Sequence, residues 1–426
     1  MKNDKYRPRL VDSQVEKFLN LFGAVCIEGP KWCGKTWTSS IHCKSRIMLG
    51  DPSGDFQNKR LAEISPNLVL EGETPHLIDE WQEVPRLWDA VRYEVDERGI
   101  KGQFLLTGSS TPKIKGVQHS GAGRIKRLRM YPMSLWESGD STGAVSLLDL
   151  FEGKVVTSMI KQPELKHLIY LCVRGGWPGA IGINANHAGD IAKAYMETIL
   201  ENDIFKLDDK NYDTRKISLL MRSLARNETT TVSVKSLIKD INEVDDVKID
   251  PSTISNYLTL LDRLFLLRNQ PAFDTNIRSS IRVKQMEKRH FVDPSIACTL
   301  LGANPDRLLG DLKTFGFMFE AMVERDLHIY AEALNGKLFH YQDYNNGEID
   351  AVIELEDGRW GAFEIKLGAD RIDAGAKSLL KVRSNMLESN PNAHVADVMC
   401  VICGMTNSIY QRPDGVWVVP ITSLKE

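Results

Sequence analysis

Between about residues 20 and 110 the chain alternates short apolar runs with polar stretches of helix length. The runs are AVCIE (Ala24–Glu28), RIML (Arg46–Leu49), HLID (His76–Asp79) and FLLTG (Phe104–Gly108). Their Gly, Pro and Asp boundaries and crossover-length spacing predict a parallel sheet with helices on both faces. From Pro132 to about Asn211 the pattern turns mainly helical, broken by the turn RGGWPGA at Arg174–Ala180. Residues 213–291 predict three helices and then two strands. The third helix starts with Asp250 as N-cap and Pro251 at the first helical position. From about Thr314 the pattern predicts a helix, a hairpin, a polar helical region and further strands. The expected class is α/β in four parts: a parallel-sheet core over 1–140, a helical connector over 141–211, a helical unit with two strands over 212–295, and a second α/β unit over 296–426.

The first apolar run leads directly into Gly29-Pro30-Lys31-Trp32-Cys33-Gly34-Lys35-Thr36, with Trp37 next. This fits GxxxxGK[ST] at every fixed position, and it lies between a strand and a helix, the context in which the pattern means a phosphate loop. Gly34 lets main-chain N–H groups approach a β-phosphate, and the helix N-terminus adds a favourable dipole. Lys35 is expected to neutralise phosphate charge and Thr36 to ligate Mg²⁺. The bulky Trp32 and Cys33 are expected either to cover the nucleotide or simply to pack. The run HLID ends in Asp79 and Glu80, the acid pair expected to hold Mg²⁺ and to orient or deprotonate water. The run FLLTG ends in Gly-Ser-Ser, which makes Thr107 and Ser109 candidate sensors of a γ-phosphate. ATP and Mg²⁺ are the expected cofactors.

Between Lys113 and Arg129 stand six Lys or Arg and no acid. Arg124 is the leading candidate for an arginine finger, within its own subunit or a neighbour's, and Arg174 a weaker one. A solvated basic loop or a nucleic-acid patch is the alternative.

GPKWCGKT, LIDEWQEVP, GQFLLTGSS, the GR-x-x-x-L-x-M-x-P-M-S-x-W-E stretch at Gly123–Glu137 and RGGWPGA together resemble the prokaryotic AAA+ ATPases that carry a C-terminal domain of unknown function, DUF4143. TISNYLTLLDRLFLL, HFVDPSIACTLLG, GFMFEAMVERDL and EID…EIK extend the likeness over nearly the whole chain. The resemblance implies a P-loop ATPase fold with the sensor strand between the two Walker strands. Lys31 stands where that family commonly has Arg.

Asp350 and, fourteen residues on, Glu364-Ile365-Lys366 resemble the PD-(D/E)xK nuclease core, in which two carboxylates bind Mg²⁺ and a lysine assists. Matching the apolar faces of the two strands requires a loop of odd length, such as Asp357-Gly358-Arg359, which sets Asp350 opposite Lys366 with Glu364 two residues along. Glu320 on the preceding helix is the expected third metal ligand, with Glu324 one turn away. A nuclease-like fold that no longer cuts is the alternative. The unit over 213–291 resembles a winged helix. From Arg263 to Arg289 it holds seven basic residues against Asp274 and Glu287, an excess expected to face DNA phosphates. Ser252, Thr253, Ser255 and Asn256 are the expected groove readers.

Composition narrows the partners. The net charge of −3 over 426 residues gives no global attraction to nucleic acid or to an anionic membrane, so any such surface must be local. The N-terminal MKNDKYRPRL has no apolar core, and no run approaches eighteen apolar residues, so a cytoplasmic protein without a membrane partner is expected. Seven cysteines lack framework spacing, and the lone pair Cys400 and Cys403 sits in an apolar run, as core thiols do. The reading that follows is a Mg²⁺-dependent ATPase, capable of homo-oligomerising, that couples its nucleotide state to a DNA-directed C-terminal region. The alternative is a nucleotide-sensing or partner-recruiting module with little hydrolysis.

Overall fold

The computed structural model describes residues 6–111, 119–207, 212–244, 247–343 and 347–426. Five parallel strands, β1 (Ala24–Glu28), β2 (Ser45–Met48), β3 (His76–Asp79), β4 (Phe104–Gly108) and β5 (Ile125–Arg129), form the first sheet in the order β2-β3-β4-β1-β5. β4 pairs with β1 from Ala24↔Phe104 to Glu28↔Gly108 and with β3 from His76↔Phe104, so the expected sensor strand does lie between the other two. β1 is buried along its whole length, and its alternate residues serve opposite faces. Val25 and Ile27 pack with Val15 and Leu19 of helix α1 (Val11–Leu21). Ala24 and Cys26 pack with Trp88 and Val91 of the helix Arg86–Arg98.

β5 is the strand that the hydrophobic pattern did not announce. Its sequence, IKRLR, belongs to the stretch read as a basic loop, of which Lys113 and Lys115 lie outside the described residues. Only Ile125 and Leu128 are buried. As an edge strand it tolerates charge, and its cations cover aromatic faces: Lys126 lies over Phe18 at 4.7 Å and the Arg127 guanidinium over Trp88 at 4.5 Å.

The helical part follows the expected order, with the helices Thr214–Arg226, Val234–Asn242 and Pro251–Arg263 capped by Asp213, Ser233 and Asp250. Asp250 accepts the N–H groups of Ser252 and Thr253 as well as both their hydroxyls, so those two groove-reader candidates are engaged in the cap. Before them, residues 145–159 contribute two short strands, β6 (Val145–Ser146) and β7 (Ser158–Met159). After them come the antiparallel hairpin strands β8 (Leu267–Gln270) and β9 (Lys288–Phe291), with Thr230 bridged to Arg289.

The C-terminal unit runs in the order long helix Leu312–Ala333, β10 (Lys337–Gln342), β11 (Glu348–Glu354), β12 (Trp360–Lys366), helix Ile372–Ser389 and β13 (Val398–Cys403). β10, β11 and β12 form an antiparallel meander, and β13 joins β12 in parallel. β14 (Ser408–Gln411) and β15 (Trp417–Pro420) complete it, and the sheet order is β10-β11-β12-β13-β15-β14-β7. The segment expected to be a helical connector therefore supplies the outermost strand. β6 likewise pairs with β16 (Leu424–Lys425) at the other end of the chain. One apolar core extends from Tyr131 to Leu424, across the expected boundaries at 211/212 and 295/296. Cys400 and Cys403 are buried thiols within it and in its neighbouring cluster. Among the described residues, no helix is long and apolar enough to cross a membrane.

Candidate nucleotide site and a second charged cluster

The phosphate loop leaves β1 at Gly29, where a Cβ atom would stand 2.1 Å from the Met130 carbonyl oxygen of the neighbouring chain segment. No side chain fits there. Trp32 takes a positive φ of 66° and Gly34 one of 105°, and helix α2 (Lys35–His42) begins at once. The first N–H groups of that helix have no intrahelical acceptor. The Lys35 ammonium is buried and donates to the carbonyl oxygens of Gly29 (3.0 Å) and Pro30 (2.8 Å). Cys33 points inward, buried against Met130, so it packs under the loop. Trp32 points outward, 47 % exposed, and its ring contacts Tyr195 at 5.4 Å, which in turn contacts Trp177 at 4.7 Å. Lys31 pairs with Asp203 at 2.6 Å. Trp37 is the third residue of the helix, its ring 6.4 Å from that of Tyr6.

The two acids at the end of β3 are held differently. Asp79 Oδ1 accepts from the Thr36 hydroxyl (2.8 Å) and the Thr107 hydroxyl (2.7 Å). Burial pushes the Asp79 carboxyl above the usual carboxylate range, and those two hydrogen bonds act in the opposite direction. Glu80 leaves the strand in a left-handed conformation (φ 58°), fixed by its own N–H donating to Thr107 Oγ1 at 2.9 Å. This turns its carboxylate toward Ser109, whose hydroxyl donates to it at 2.7 Å, and toward the Gln82 amide, which donates to both. A cleft of about 970 Å³ opens on this side, lined among others by Lys31, Glu80, Gln82, Ser109, Asp203 and Phe56. Thr36 and Asp79 are hard oxygen donors beside the lysine, a set that fits Mg²⁺ held by one carboxylate, one hydroxyl and phosphate oxygens.

Arg9, Gln82 and Tyr195 belong to this site and carried no recognisable signal in the sequence. The buried Arg9 guanidinium donates to the Cys33 carbonyl (2.8 Å) beneath the loop, to the Tyr131 carbonyl and to Glu137. Arg124 is placed elsewhere. Its carbonyl accepts from Ala24 N at the start of β1, whereas the loop leaves the far end of that strand, about 16 Å away at ~3.3 Å per residue. Its side chain pairs with Asp96. Arg174 is buried and paired with Asp140 at 2.8 Å, a structural contact.

In the C-terminal unit the register is two positions off the expected one. Ala351 faces Phe363 and Glu354 faces Trp360, which sets Asp350 opposite Glu364. The loop is odd, as expected, but consists of Glu356, Asp357 and Gly358, because Leu355 pairs with Arg359 and Gly358 supplies the left-handed position (φ 88°). Parity is unchanged, so the side chains still converge. Lys366 Nζ lies 3.1 Å from Asp350 Oδ2 and 2.5 Å from Glu364 Oε2. Burial first, and then Asp350, push Glu364 up to about 7. Glu320 and Glu324 face Lys288, each at 3.1 Å. Among the described residues no group of three or more His, Cys, Asp or Glu side chains is arranged to hold a metal ion; of the expected second Mg²⁺ ligands, Glu320 pairs with Lys288, and Asp350 and Glu364 pair with Lys366.

The basic excess of 263–289 is also largely turned inward. Arg263 donates to the Thr111 and Leu207 carbonyls, Arg268 and Lys288 are buried, and Arg282 forms a two-pronged pair with Glu354. Arg278 and Lys284 remain exposed.

A parallel sheet with its glycine-rich loop at the end of β1, an acid pair on the next strand but one and, between them, a buried strand that ends in Thr107 defines a P-loop, ATPase-like domain of the AAA type. In agreement, the AAA domain family matches residues 22–138. Two domains of unknown function follow, DUF8612 over residues 165–307 and DUF4143 over residues 315–424. The chain thus carries an N-terminal AAA domain and a C-terminal DUF4143 domain. Uncharacterized proteins of Mycobacterium bovis and Mycobacterium tuberculosis are each 24% identical over 358 residues, 83% of this chain and 72% of theirs. Among solved structures, the Walker-type ATPase of Pyrococcus abyssi matches with a TM-score of 0.42 and 15% identity, over 70% of this chain and 97% of that one. The Aeropyrum pernix ORC1 protein in complex with DNA matches with a TM-score of 0.27 and 11% identity, over 73% and 97%.

Proposed function

We propose that this chain binds and hydrolyses ATP with Mg²⁺ and uses the nucleotide state to move its helical and C-terminal parts on DNA. The observation that carries the reading is the split handling of the two acids: Thr36 shares Asp79, while the left-handed Glu80 presents its carboxylate to the cleft. In this reading Lys35 and the loop N–H groups neutralise the β- and γ-phosphates, Thr36 and Asp79 hold Mg²⁺, and Glu80 orients the attacking water. Arg124 is too far from its own loop to stabilise γ-phosphate charge. It acts on a neighbouring chain's nucleotide, which makes a homo-oligomer part of the proposal.

The route from loop to helical part is short. Lys31 pairs with Asp203, and Trp32 contacts Tyr195, which contacts Trp177, whose indole N–H donates to Ser295 at 2.9 Å. Asp293, which holds Ser295, also pairs with Arg325 on the long helix at 2.8 Å. DNA enters at the winged-helix-like unit, where Ser255, Asn256 and Thr259 of the third helix are exposed, as are Arg278 and Lys284 after β8. A second reading, a nucleotide sensor with little turnover, draws on the capture of the Glu80 carboxylate by Ser109 and Gln82. Phosphate release by the wild type and by Glu80→Gln, each with and without DNA, separates the two. Hydrolysis predicts a wild-type rate at least about 100-fold above the variant's, raised further by DNA. Equal rates reject hydrolysis and leave the sensor.

A further inference from the structure

The acid cluster that resembles a nuclease centre already holds two ammonium groups of its own, Lys288 and Lys366. We propose that Lys288 permanently fills the position a divalent metal would take, so that this centre is an internally paired joint between the β8–β9 hairpin and the C-terminal sheet, with no metal bound and no DNA cleavage. The proposal is independent of the nucleotide site.

Geometry matches donors to acceptors one for one. An ammonium group has three N–H donors, and the Lys288 group finds three acceptors: Glu320 Oε1 and Glu324 Oε1 at 3.1 Å each, and the main-chain oxygen of Asp350 at 3.2 Å. Its side chain is 2 % exposed. Glu320 and Glu324 stand one helical turn apart, so both carboxylates reach the same point. Asp350 links this group to the second ammonium, since its carbonyl serves Lys288 and its carboxylate serves Lys366. Four carboxylates thus face two lysines.

Two further oxygens of the cluster are engaged, and Glu324 Oε2 lies 3.5 Å from His290 Nε2. Asp350 Oδ2 also accepts from Ile365 N at 2.8 Å, and Glu364 Oε1 accepts from the Ser378 hydroxyl at 3.0 Å. Mg²⁺ demands six oxygens near octahedral positions at about 2.0–2.1 Å. Entering here, it would displace these hydrogen bonds and sit beside two ammonium groups, the buried Lys288 and the part-buried Lys366.

Lys288 is also unable to swing out alone. β9 holds it opposite Gln270, whose amide donates to the carbonyls of Phe339 (2.7 Å) and Asp350 (3.2 Å), and Ala272 bridges to His340 on β10. The same Asp350 carbonyl therefore anchors both the lysine and the strand facing it.

The test titrates Mn²⁺ into the full chain, followed by electron paramagnetic resonance, in an Asp79→Asn background that removes the carboxylate of the nucleotide site. The proposal predicts no bound Mn²⁺ at millimolar concentration with Lys288 present. It predicts one Mn²⁺ bound at least about tenfold more tightly in Lys288→Ala or in the stem-preserving Lys288→Met, and loss of that ion when Glu320→Gln is added. Folding of each variant is followed by circular dichroism. A Mn²⁺ ion bound with Lys288 present and lost in Asp350→Asn overturns the proposal. So does plasmid nicking by the unaltered protein that disappears in Glu364→Gln, and so do folded Lys288 variants that gain no ion. Should neither Lys288 variant fold, the two measurements with Lys288 present decide the matter.

Discussion

Two lysine-and-carboxylate groups in this chain are built to opposite ends. At the phosphate loop, Lys35 touches only main-chain carbonyl oxygens, and Asp79 is held by hydroxyl groups. Neither charge is spent on the other, so both stay available to a phosphate chain and its metal. Where the β8–β9 hairpin meets the C-terminal unit, Lys288 and Lys366 each sit between two carboxylates, and both ammonium charges are paired inside the fold. Similar residue types therefore serve ligand binding in one place and cohesion in the other. What separates them is the partner each ammonium group meets.

The sharpest way to break this comparison is to remove each lysine and measure stability. Lys288→Met is expected to lower unfolding stability by about 3–5 kcal/mol, since it leaves the buried Glu324 and the part-buried Glu320 as unpaired charges. Lys35→Met, which removes hydrogen bonds to neutral carbonyls, is expected to cost only about 1 kcal/mol. Chemical denaturation of the two variants checks the contrast, and equal losses would erase it. Binding should run the other way: Lys35→Ala is expected to weaken ATP at least about 100-fold, or on the order of 3 kcal/mol, by titration calorimetry.

A smaller effect is expected from His340, which is buried near Lys288 and donates its Nε2–H to the Met286 carbonyl at 3.0 Å. Burial, and then the Lys288 charge, lower its pKa to about 4 from the usual 6.5. Between those values the unfolded chain binds a proton that the folded chain refuses, so this group's share of stability is lost as pH falls from 6.5 to 4. His340→Gln should flatten that acid-side decline by on the order of 2 kcal/mol, read as the difference between the two pH–stability curves. The smallest effect belongs to a pair of intermediate kind. Lys31 is part-exposed while its partner Asp203 is buried, and Asp203→Asn is expected to cost less than about 1 kcal/mol in thermal unfolding.

Much of the first sheet was legible because its strands are buried on both faces and read as continuous apolar runs between turn residues. β5 escaped because an edge strand needs few buried positions, and Lys126 and Arg127 there cover aromatic rings from outside. The hairpin behind Asp350 and Glu364 shows the limit of pattern reasoning in another way. Matching apolar faces fixes only parity, and the left-handed Gly358 chose which of the odd-loop registers forms. The basic residues of β8 and β9 misled for a related reason. Period-two alternation puts Lys288 and His290 on one face, yet nothing in the alternation says whether that face meets solvent or the helix that carries Glu324.

The chain's own order of residues determined the phosphate loop, the acid pair and the sensor strand, because each is a contiguous segment whose geometry follows from strand, turn and helix start. It also determined that Asp350, Glu364 and Lys366 share a face. Only the tertiary structure decided what each charge would meet. Lys288 lies 32 residues from Glu320 and 62 from Asp350, and they come together through the docking of a hairpin on a sheet. Arg124 is set at the wrong end of β1 by the same kind of long-range pairing. Local spacing records where a side chain points along its own element, whereas a charge is satisfied or left free by elements distant in the chain.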